Sequence, residues 1–227
     1  MPSRLSARLG TLVRPRETTR WQFRGAIAGL GTAEGTRLVI GHWPRSPFGP
    51  FSDVMVERPD GHRMLLAPSP DVAEFVSSTY RFDEIVILPV TVSICGHPPS
   101  GQRWQVEAGP LRVRFLTGSR TAAGWALAAI PPVVAERPAF AAAVDPVARL
   151  VMRGVRTVGS AGNDRREWYA ATDVHRIVLA EGTWADTPLG QLRDVHPPVR
   201  FGFGSTPRRP VVTRLVTTVA WSAPPPA

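Results

Sequence analysis

The sequence contains no lysine, and all 27 of its basic residues are arginine. Without a lysine amine, the chain cannot catalyse through a lysine Schiff base, anchor pyridoxal phosphate or build a nucleotide-binding loop that requires lysine. Arginine in place of lysine, together with abundant alanine and proline, is typical of a GC-rich genome. The missing amine therefore excludes several enzyme classes before any motif is considered.

Cysteine, long apolar runs and a secretion signal are also scarce or missing. Cys95 is the only cysteine, so it cannot form a disulfide within the chain. No apolar run reaches the roughly 18 residues of a membrane-spanning helix. The segment Met1–Leu5 does not lead into the apolar core of a signal peptide. We therefore expect a cytoplasmic protein without a membrane span.

Motifs for metal, nucleotide and nucleophile sites are missing as well. The histidines do not have metal-ligand spacing, and neither Cys-x-x-Cys nor Gly-x-Ser-x-Gly occurs. The glycines of the segment Gly25–Gly31 do not follow the dinucleotide-binding fingerprint. The sequence therefore predicts no metal and no cofactor.

The net charge of +9 is concentrated near the N terminus. Six arginines fall within residues 4–24, namely Arg4, Arg8, Arg14, Arg16, Arg20 and Arg24. A basic arm of this kind favours weak, sequence-blind contacts with nucleic acid or a membrane surface, which salt weakens. The remaining arginines are scattered, which is typical of a solvated surface. We therefore expect no specific nucleic-acid partner.

The chain divides into one domain and two tails. Residues 1–20 are predicted to form a basic flexible arm, and residues 223–227 a Pro-rich disordered tail. Between them, residues 21–222 are predicted to form a single β-barrel-like domain, because β patterns follow one another without a linker. With 43% hydrophobic residues, this domain can bury a substantial core.

Short β patterns bounded by glycine and proline account for most of the domain. The predicted strands are Thr36–Trp43, Phe51–Arg58, His62–Ala67, Ile85–Ile94, Trp104–Ala108, Leu111–Leu116, Val155–Ser160, Glu167–Leu179, Val199–Phe203 and Val211–Trp221. The predicted helices are Pro70–Thr79, capped by Ser69, Ala122–Ala129 and Pro138–Met152. This pattern predicts an α+β fold, a large antiparallel β-barrel or cone of about ten strands with two or three short helices.

The first candidate site lies where the loop Pro44–Pro50 leads into a strand. Strand alternation places Asp53, Met55 and Glu57 on one face of that strand. The two carboxylates could hold a proton or a cation, or pair with Arg45. The alternative is a solvated strand face with surface ion pairs.

The second candidate site lies on Glu167–Leu179, where alternation places Tyr169, Asp173 and His175 on one face. In a barrel with a polar interior, Asp173 would orient His175 as an acid or a base. The opposite face is the more apolar one. The alternative is therefore that these three side chains point outward.

The third candidate site joins the first predicted helix to the apolar strand Ile85–Ile94. Arg81, Asp83 and Glu84 fall at the mouth of this strand, where a barrel places the polar groups of a binding site. The alternative is a helix end at which Arg81 meets the helix dipole and both acids are solvated.

Two of these segments together match the pattern of a known family. Ser46-Pro47-Phe48-Gly49-Pro50-Phe51 runs into the acidic strand, and the following helix ends in Tyr80-Arg81-Phe82-Asp83-Glu84. This order resembles the acetoacetate decarboxylase-like superfamily, in which a Ser-Pro-x-Gly-Pro-Tyr-type loop precedes a segment with a Schiff-base lysine. Phe82 falls at the family's phenylalanine, Asp83 at its proline and Glu84 at its lysine. The resemblance implies a closed, cone-shaped antiparallel barrel around an apolar pocket.

The resemblance further implies a small organic or lipid-like ligand in that pocket, which we expect to be anionic and held by arginines. The expected ligand-binding residues are Arg45, Asp53, Glu57, Arg81, Tyr169 and Asp173. The alternatives are a non-catalytic binding or scaffold protein on the same fold, and a weak basic binder of nucleic acid or membrane surfaces. The sequence leaves open whether the chain forms a homo-oligomer.

Any catalysis must differ from that of the resembled family, because its imine chemistry requires lysine. The sequence leaves open whether the protein is an enzyme. A lyase-type or proton-transfer step would use Glu84, Asp83 and His175. We expect Glu84 to face the barrel interior and to share it with Asp53 or Glu57, since burial and a second carboxylate would both raise its pKa.

Overall fold

The computed structural model describes residues 19–97, 101–130, 158–161, 165–202 and 206–221, which contain thirteen strands and two short helices. The strands are β1 (Thr19–Thr32), β2 (Arg37–Arg45), β3 (Phe51–Glu57), β4 (Arg63–Ala67), β5 (Glu84–Ile87), β6 (Val90–Cys95), β7 (Arg103–Ala108), β8 (Leu111–Arg120), β9 (Val158–Ala161), β10 (Arg165–Trp184), β11 (Thr187–Pro188), β12 (Leu192–Arg193) and β13 (Val211–Trp221). The helices are α1 (Pro70–Ser77) and α2 (Ala122–Ala128). The predicted tail, the predicted helix over 138–152 and most of the predicted arm lie outside the described residues.

Ten of the strands form one hydrogen-bonded path, in the order β5-β4-β3-β2-β1-β13-β10-β8-β7-β6. Neighbours on this path are antiparallel except β4 and β5, which are parallel. The central strand β13 is rich in valine and threonine, which suit an extended backbone. The prediction of a largely antiparallel sheet with short helices is confirmed, and the sheet curls into a half-barrel.

The inner face of the curled sheet carries the main hydrophobic core. Trp104 and Phe115 stack there with ring centroids 5.3 Å apart, and Leu38 is completely buried. Val86 from β5 and Val92 from β6, at the two ends of the sheet, pack against the same cluster. The interior of the curl is therefore filled with packed side chains.

Helix α1 packs on the opposite, outer face of the sheet. Ser69 caps the helix by accepting a hydrogen bond from the Val72 amide, and Pro70 stands in the first turn, where no N–H is needed. Val72 and Val76 are buried against a second cluster that includes Leu65 of β4. The predicted helix and its cap are confirmed.

The apolar segment Ile85–Ile94 is not the single long strand that the sequence predicted. Leu88 and Pro89 divide it into β5 and β6, because proline has no N–H for a strand ladder and a fixed φ. The two strands lie at opposite ends of the sheet, and Ile85 and Ile87 are 45% and 52% exposed. The segment supplies two edges of the sheet and not a buried central strand.

We expect Ser69→Ala to lower the free energy of unfolding by about 1 kcal/mol, because the Val72 amide loses its side-chain acceptor. Urea denaturation followed by circular dichroism measures the change. Ser77→Ala is the matched control, since its hydroxyl donates only to the Glu74 carbonyl within the last turn. This control should stay within about 0.5 kcal/mol of wild type, and an equal loss in both variants would argue against the cap.

Candidate functional site

An apolar cavity, here called the α1 cavity, lies between the outer face of the sheet and α1. Its walls come from β1, β2, β3, β10 and β13, from α1 and from the two residues that follow the cap of α1. The centre of a water-sized sphere can reach about 60 Å³ of it, whereas one water needs about 10–15 Å³ in this measure. The lining residues are Phe23, Ile27, Val39, Gly41, Trp43, Phe51, Asp53, Met55, Phe75, Val76, Thr79, Tyr80, Tyr169, Thr217 and Val219.

Aromatic packing holds the helix and the loop before β3 over the sheet. Phe23 of β1 stacks on Phe75 of α1 with ring centroids 4.9 Å apart. Phe23 also meets Trp43 of β2 edge to face, at 6.0 Å. Phe48 of the loop lies 5.4 Å from Phe75 between ring centroids. These rings join four parts of the chain and give the cavity its shape.

The loop that carries Phe48 is closed by its own hydrogen bonds. The Phe48 amide donates to the Ser46 hydroxyl, and this hydroxyl donates to the Gly49 carbonyl over 2.6 Å. Gly49 has a φ of 78°, a left-handed conformation that glycine adopts without a steric penalty. The resulting turn directs Phe48 into the aromatic cluster beside the cavity.

Asp53 places a carboxyl group in the wall of this apolar cavity and is only 3% exposed. Trp43 Nε1 donates to Asp53 Oδ1 over 3.1 Å, which is the one hydrogen bond to this side chain from the residues described. Gly41, opposite Asp53 in the β2–β3 ladder, leaves room for the pair. A Cβ at position 41 would overlap both Asp53 Oδ1 and Trp43 Nε1.

Burial raises the pKa of Asp53 to about 6, and the hydrogen bond from Trp43 opposes this rise only in part. A carboxylate loses its hydration in an apolar wall, so its protonated form is favoured there. The pKa of Asp53 is therefore close to neutral pH and far above that of an exposed aspartate.

The other polar groups of the cavity lie away from Asp53. The hydroxyls of Tyr80 and Tyr169 are hydrogen-bonded at 2.7 Å. Thr217 Oγ1 is buried and has no hydrogen-bond partner in the part of the chain that the structure describes. Two strands, β2 and β1, separate β3 from β13. Asp53 and Thr217 therefore stand on opposite sides of the cavity.

Of the residues expected from the sequence, Asp53 and Tyr169 line the α1 cavity. Glu57 shares a face of β3 with Asp53, as alternation predicted, but lies four residues or about 13 Å further along. It is fully buried and pairs with Arg37 at 3.2 Å and with Arg200 at 2.9 Å. The two carboxylates therefore do not share a site.

Glu84 and Asp83 are exposed to solvent, and the expectation that Glu84 lies in a buried interior shared with Asp53 or Glu57 is wrong. The Glu84 side chain is 50% exposed, with one oxygen 3.1 Å from His62 Nε2. Arg63 donates to both oxygens of Asp83, and these hydrogen bonds hold the pKa of Asp83 below its ordinary value. Glu84 begins an edge strand and not a buried one, which accounts for its position.

The two arginines expected to hold an anionic ligand are not at the cavity. Arg45 and Arg81 are both exposed, and neither contributes to the lining. Arg81 instead donates its backbone amide to the Phe201 carbonyl over 2.7 Å. The charged group that does line the cavity, Asp53, is an acid.

Asp173 and His175 are brought together, as predicted, but away from the α1 cavity. His175 Nε2 lies 3.2 Å from Asp173 Oδ2, and its Nδ1 lies 3.1 Å from the Gly118 carbonyl. Arg120 donates to both Asp173 oxygens, at 2.8 and 3.0 Å. Burial acts to raise the pKa of Asp173, but the hydrogen bonds and charges of Arg120 and His175 outweigh it and lower the pKa. Both ring nitrogens are thus engaged within the protein, as in a network that stabilises the fold.

Sequence reasoning missed Trp43, Gly41 and Thr217. A signal for the first two was present in the sequence. Pairing across the loop 44–50 places Gly41 opposite Asp53, and Trp43 two pairs away on the same face. Thr217 carries no such signal, since threonine is common in strands whatever it contacts.

A wider hollow of about 510 Å³ lies at one end of the sheet, beside the turns after β3 and β10. The Arg58 guanidinium lies 5.6 Å from the centre of the Trp184 ring there, so that aromatic face already contacts a cation. Six of the ten described residues around this hollow are exposed to solvent. The α1 cavity, with its apolar wall and buried carboxyl group, is therefore the stronger candidate site.

Within the described ranges, no three His, Cys, Asp or Glu side chains are grouped to hold a metal ion. In the same residues, no helix has the length and apolar character needed to cross a membrane.

The assignment of the α1 cavity rests on its geometry and its chemistry. No protein-family model, no curated protein and no solved structure matches this chain.

Proposed function

We propose that the protein binds a small, largely apolar organic molecule in the α1 cavity. The observation that carries this proposal is the buried carboxyl group of Asp53 in a wall of mostly apolar and aromatic side chains. Burying an acid without a charged partner lowers stability. Acids with strongly shifted pKa values are concentrated at functional sites.

The composition of the wall also supports ligand binding. Small-molecule sites are mostly apolar and carry a few polar groups that fix the orientation of the ligand. The α1 cavity has this character, with Asp53 on one side and Thr217 and the Tyr80–Tyr169 pair on the other. A ligand with an apolar body would replace water against the rings and could meet a polar group at either end.

The resemblance to the acetoacetate decarboxylase-like superfamily supports a small organic ligand as well. The proposal is limited to binding, because the residues expected to catalyse a lyase-type step lie elsewhere. Glu84 and Asp83 are on the surface, and His175 does not line the cavity.

The proposal is tested with toluene and indole as neutral probes. A ligand that binds only the folded state raises the melting temperature in proportion to the logarithm of its concentration above its Kd. We expect both probes to do so for the wild-type protein. Val39→Phe places a ring in the cavity and should abolish the shift, and Ile27→Phe serves as a second occluding variant if the first does not fold.

Val178→Phe is the matched control, because Val178 is 53% exposed and lies outside the cavity lining. This variant adds the same aromatic surface without filling the cavity, so its probe-induced shift should equal that of wild type. Shifts of equal size in the occluded variants, or no shift in wild type, would refute binding in the α1 cavity.

A further inference from the structure

The lining of the α1 cavity has an unusual charge for this protein. The chain carries a net charge of +9, yet among the described residues that line the cavity Asp53 is the only one with an acidic or basic side chain. An anionic ligand would meet a carboxylate there and no arginine. The charge of the site favours a neutral or a positively charged ligand.

The carboxyl group of Asp53 has unused capacity to accept hydrogen bonds. A carboxylate has about four acceptor positions on its two oxygens. Trp43 Nε1 fills one of them at Oδ1, and no other described residue donates to the side chain. Gly41 accommodates the Asp53–Trp43 pair, because a side chain at this position would overlap both Oδ1 and Nε1. A hydrogen-bond donor on a ligand could occupy one of the remaining acceptor positions of the Asp53 carboxylate.

The rings around Asp53 also suit a cation. Trp43, Phe51 and Phe23 line the same cavity, and Phe23 and Phe51 lie in edge contact at 6.4 Å between centroids. Aromatic faces attract ammonium groups through their quadrupoles, most strongly when water is excluded. A carboxylate within an aromatic wall is an arrangement that binds an organic ammonium ion.

We propose that the ligand of the α1 cavity is a small organic amine, bound in its ammonium form with Asp53 as counter-ion and the aromatic side chains around its apolar part. This inference rests on the proposed binding function and specifies its ligand class. Thr217 lies on the far side of the cavity, and its hydroxyl has no hydrogen-bond partner among the described residues. It is placed to contact the opposite end of a longer ligand.

Protonation of Asp53 should compete with the ammonium ion. Burial raises the pKa of Asp53 to about 6, so an ammonium ion that binds the carboxylate must displace a proton below that pH. Of the residues that the structure describes, the other titratable side chains facing the cavity are the phenols of Tyr80, after α1, and Tyr169, on β10. The lining residues of β1, β2, β13 and α1 include no titratable side chain.

The test uses four probes of one shape that differ in charge, namely benzylamine, benzyl alcohol, toluene and benzoate, in phosphate buffer without a competing amine. Affinities are measured by calorimetry and by shifts in melting temperature. We expect benzylamine to bind at least about tenfold more tightly than benzyl alcohol or toluene, as for a hydrogen-bonded charge pair. Benzoate should bind most weakly, and benzylamine alone should lose affinity as the pH falls below about 6.

Asp53→Asn is the matched variant, because it keeps the size of the side chain and the oxygen that accepts from Trp43. It should weaken benzylamine at least about tenfold and leave toluene within about twofold of wild type. Equal affinities of benzylamine and toluene for wild type, or unchanged benzylamine binding in the variant, would overturn the amine assignment while leaving the proposed binding function intact. If none of the four probes binds, the proposed function itself fails and the amine assignment with it.

Discussion

Glu57→Gln is expected to lower the free energy of unfolding by about 3–5 kcal/mol, as for a broken buried ion pair. The side chains of Glu57 and Arg37 are 0% and 5% exposed and pair at 3.2 Å. Without the carboxylate, the Arg37 guanidinium keeps its charge in the interior, where its Nε already has no hydrogen-bond partner among the described residues. Arg200 also loses a charged acceptor for its backbone amide and its Nε.

Urea denaturation of the variant and of a matched control measures this effect. Asp186→Asn makes the same change of acid to amide in the Arg112–Asp186 pair, whose side chains are 64% and 89% exposed. An exposed pair contributes about 0–1 kcal/mol, so the control should unfold close to wild type. Similar losses of stability in both variants would mean that the ion pairs of Glu57 with Arg37 and Arg200 do not stabilise the fold more than an exposed pair does.

Asp53→Asn is expected to act in the opposite direction and to stabilise the protein by about 3 kcal/mol at about pH 8. In the folded protein the pKa of Asp53 is raised from 3.8 to about 6. Each pKa unit corresponds to about 1.4 kcal/mol, which sets the size of the effect. Asparagine keeps the acceptor for Trp43 Nε1 and carries no charge to be buried.

The pH dependence follows from the sign of this shift. The folded protein holds the Asp53 proton more tightly than the unfolded chain, so the stabilisation by protonation is fully present below pH 3.8. It is lost as the pH rises through the folded pKa of about 6. The variant lacks this group, so its advantage over wild type should be small near pH 4 and reach its maximum above about pH 7.

Unfolding of wild type and Asp53→Asn at a series of pH values measures the difference directly. A constant difference across the series would show that Asp53 titrates like an exposed acid and that its burial has no electrostatic effect. A gain in stability together with a loss of amine binding would show that the acid is retained at the expense of stability.

Most strands were predictable because their signals are local. However, β1 (Thr19–Thr32) was not predicted, and the predicted strand Val199–Phe203 is not a strand over its described residues 199–202. Valine- and threonine-rich runs predicted strands such as β13, and Ser69 before Pro70 predicted the start of α1. The division of Ile85–Ile94 was also signalled locally by Pro89. The apolar residues on both sides of Pro89 nevertheless suggested one continuous strand, because composition does not distinguish an edge strand from a central one.

The candidate site was predictable only in part. Alternation placed Asp53, Met55 and Glu57 on one face of a strand, and the structure confirms this. Alternation does not indicate whether a face points into the curl or out towards a helix. That choice depends on α1 and the aromatic cluster around Phe23, which are brought to β3 by long-range packing. For this reason the acid was expected in the interior and stands on the outer face.

The end strands β5 and β6 are close along the chain, although eight strands lie between them in the sheet. Only Leu88 and Pro89 connect β5 to β6, and three residue steps span at most about 11 Å. The chain itself therefore ties the rim strands together and prevents the sheet from flattening. On the convex side of such a bent surface, neighbouring side chains spread apart and cannot enclose a molecule unaided. A binding site on this side needs a further element packed over the sheet. Its walls are therefore formed by segments that are separate in the sequence.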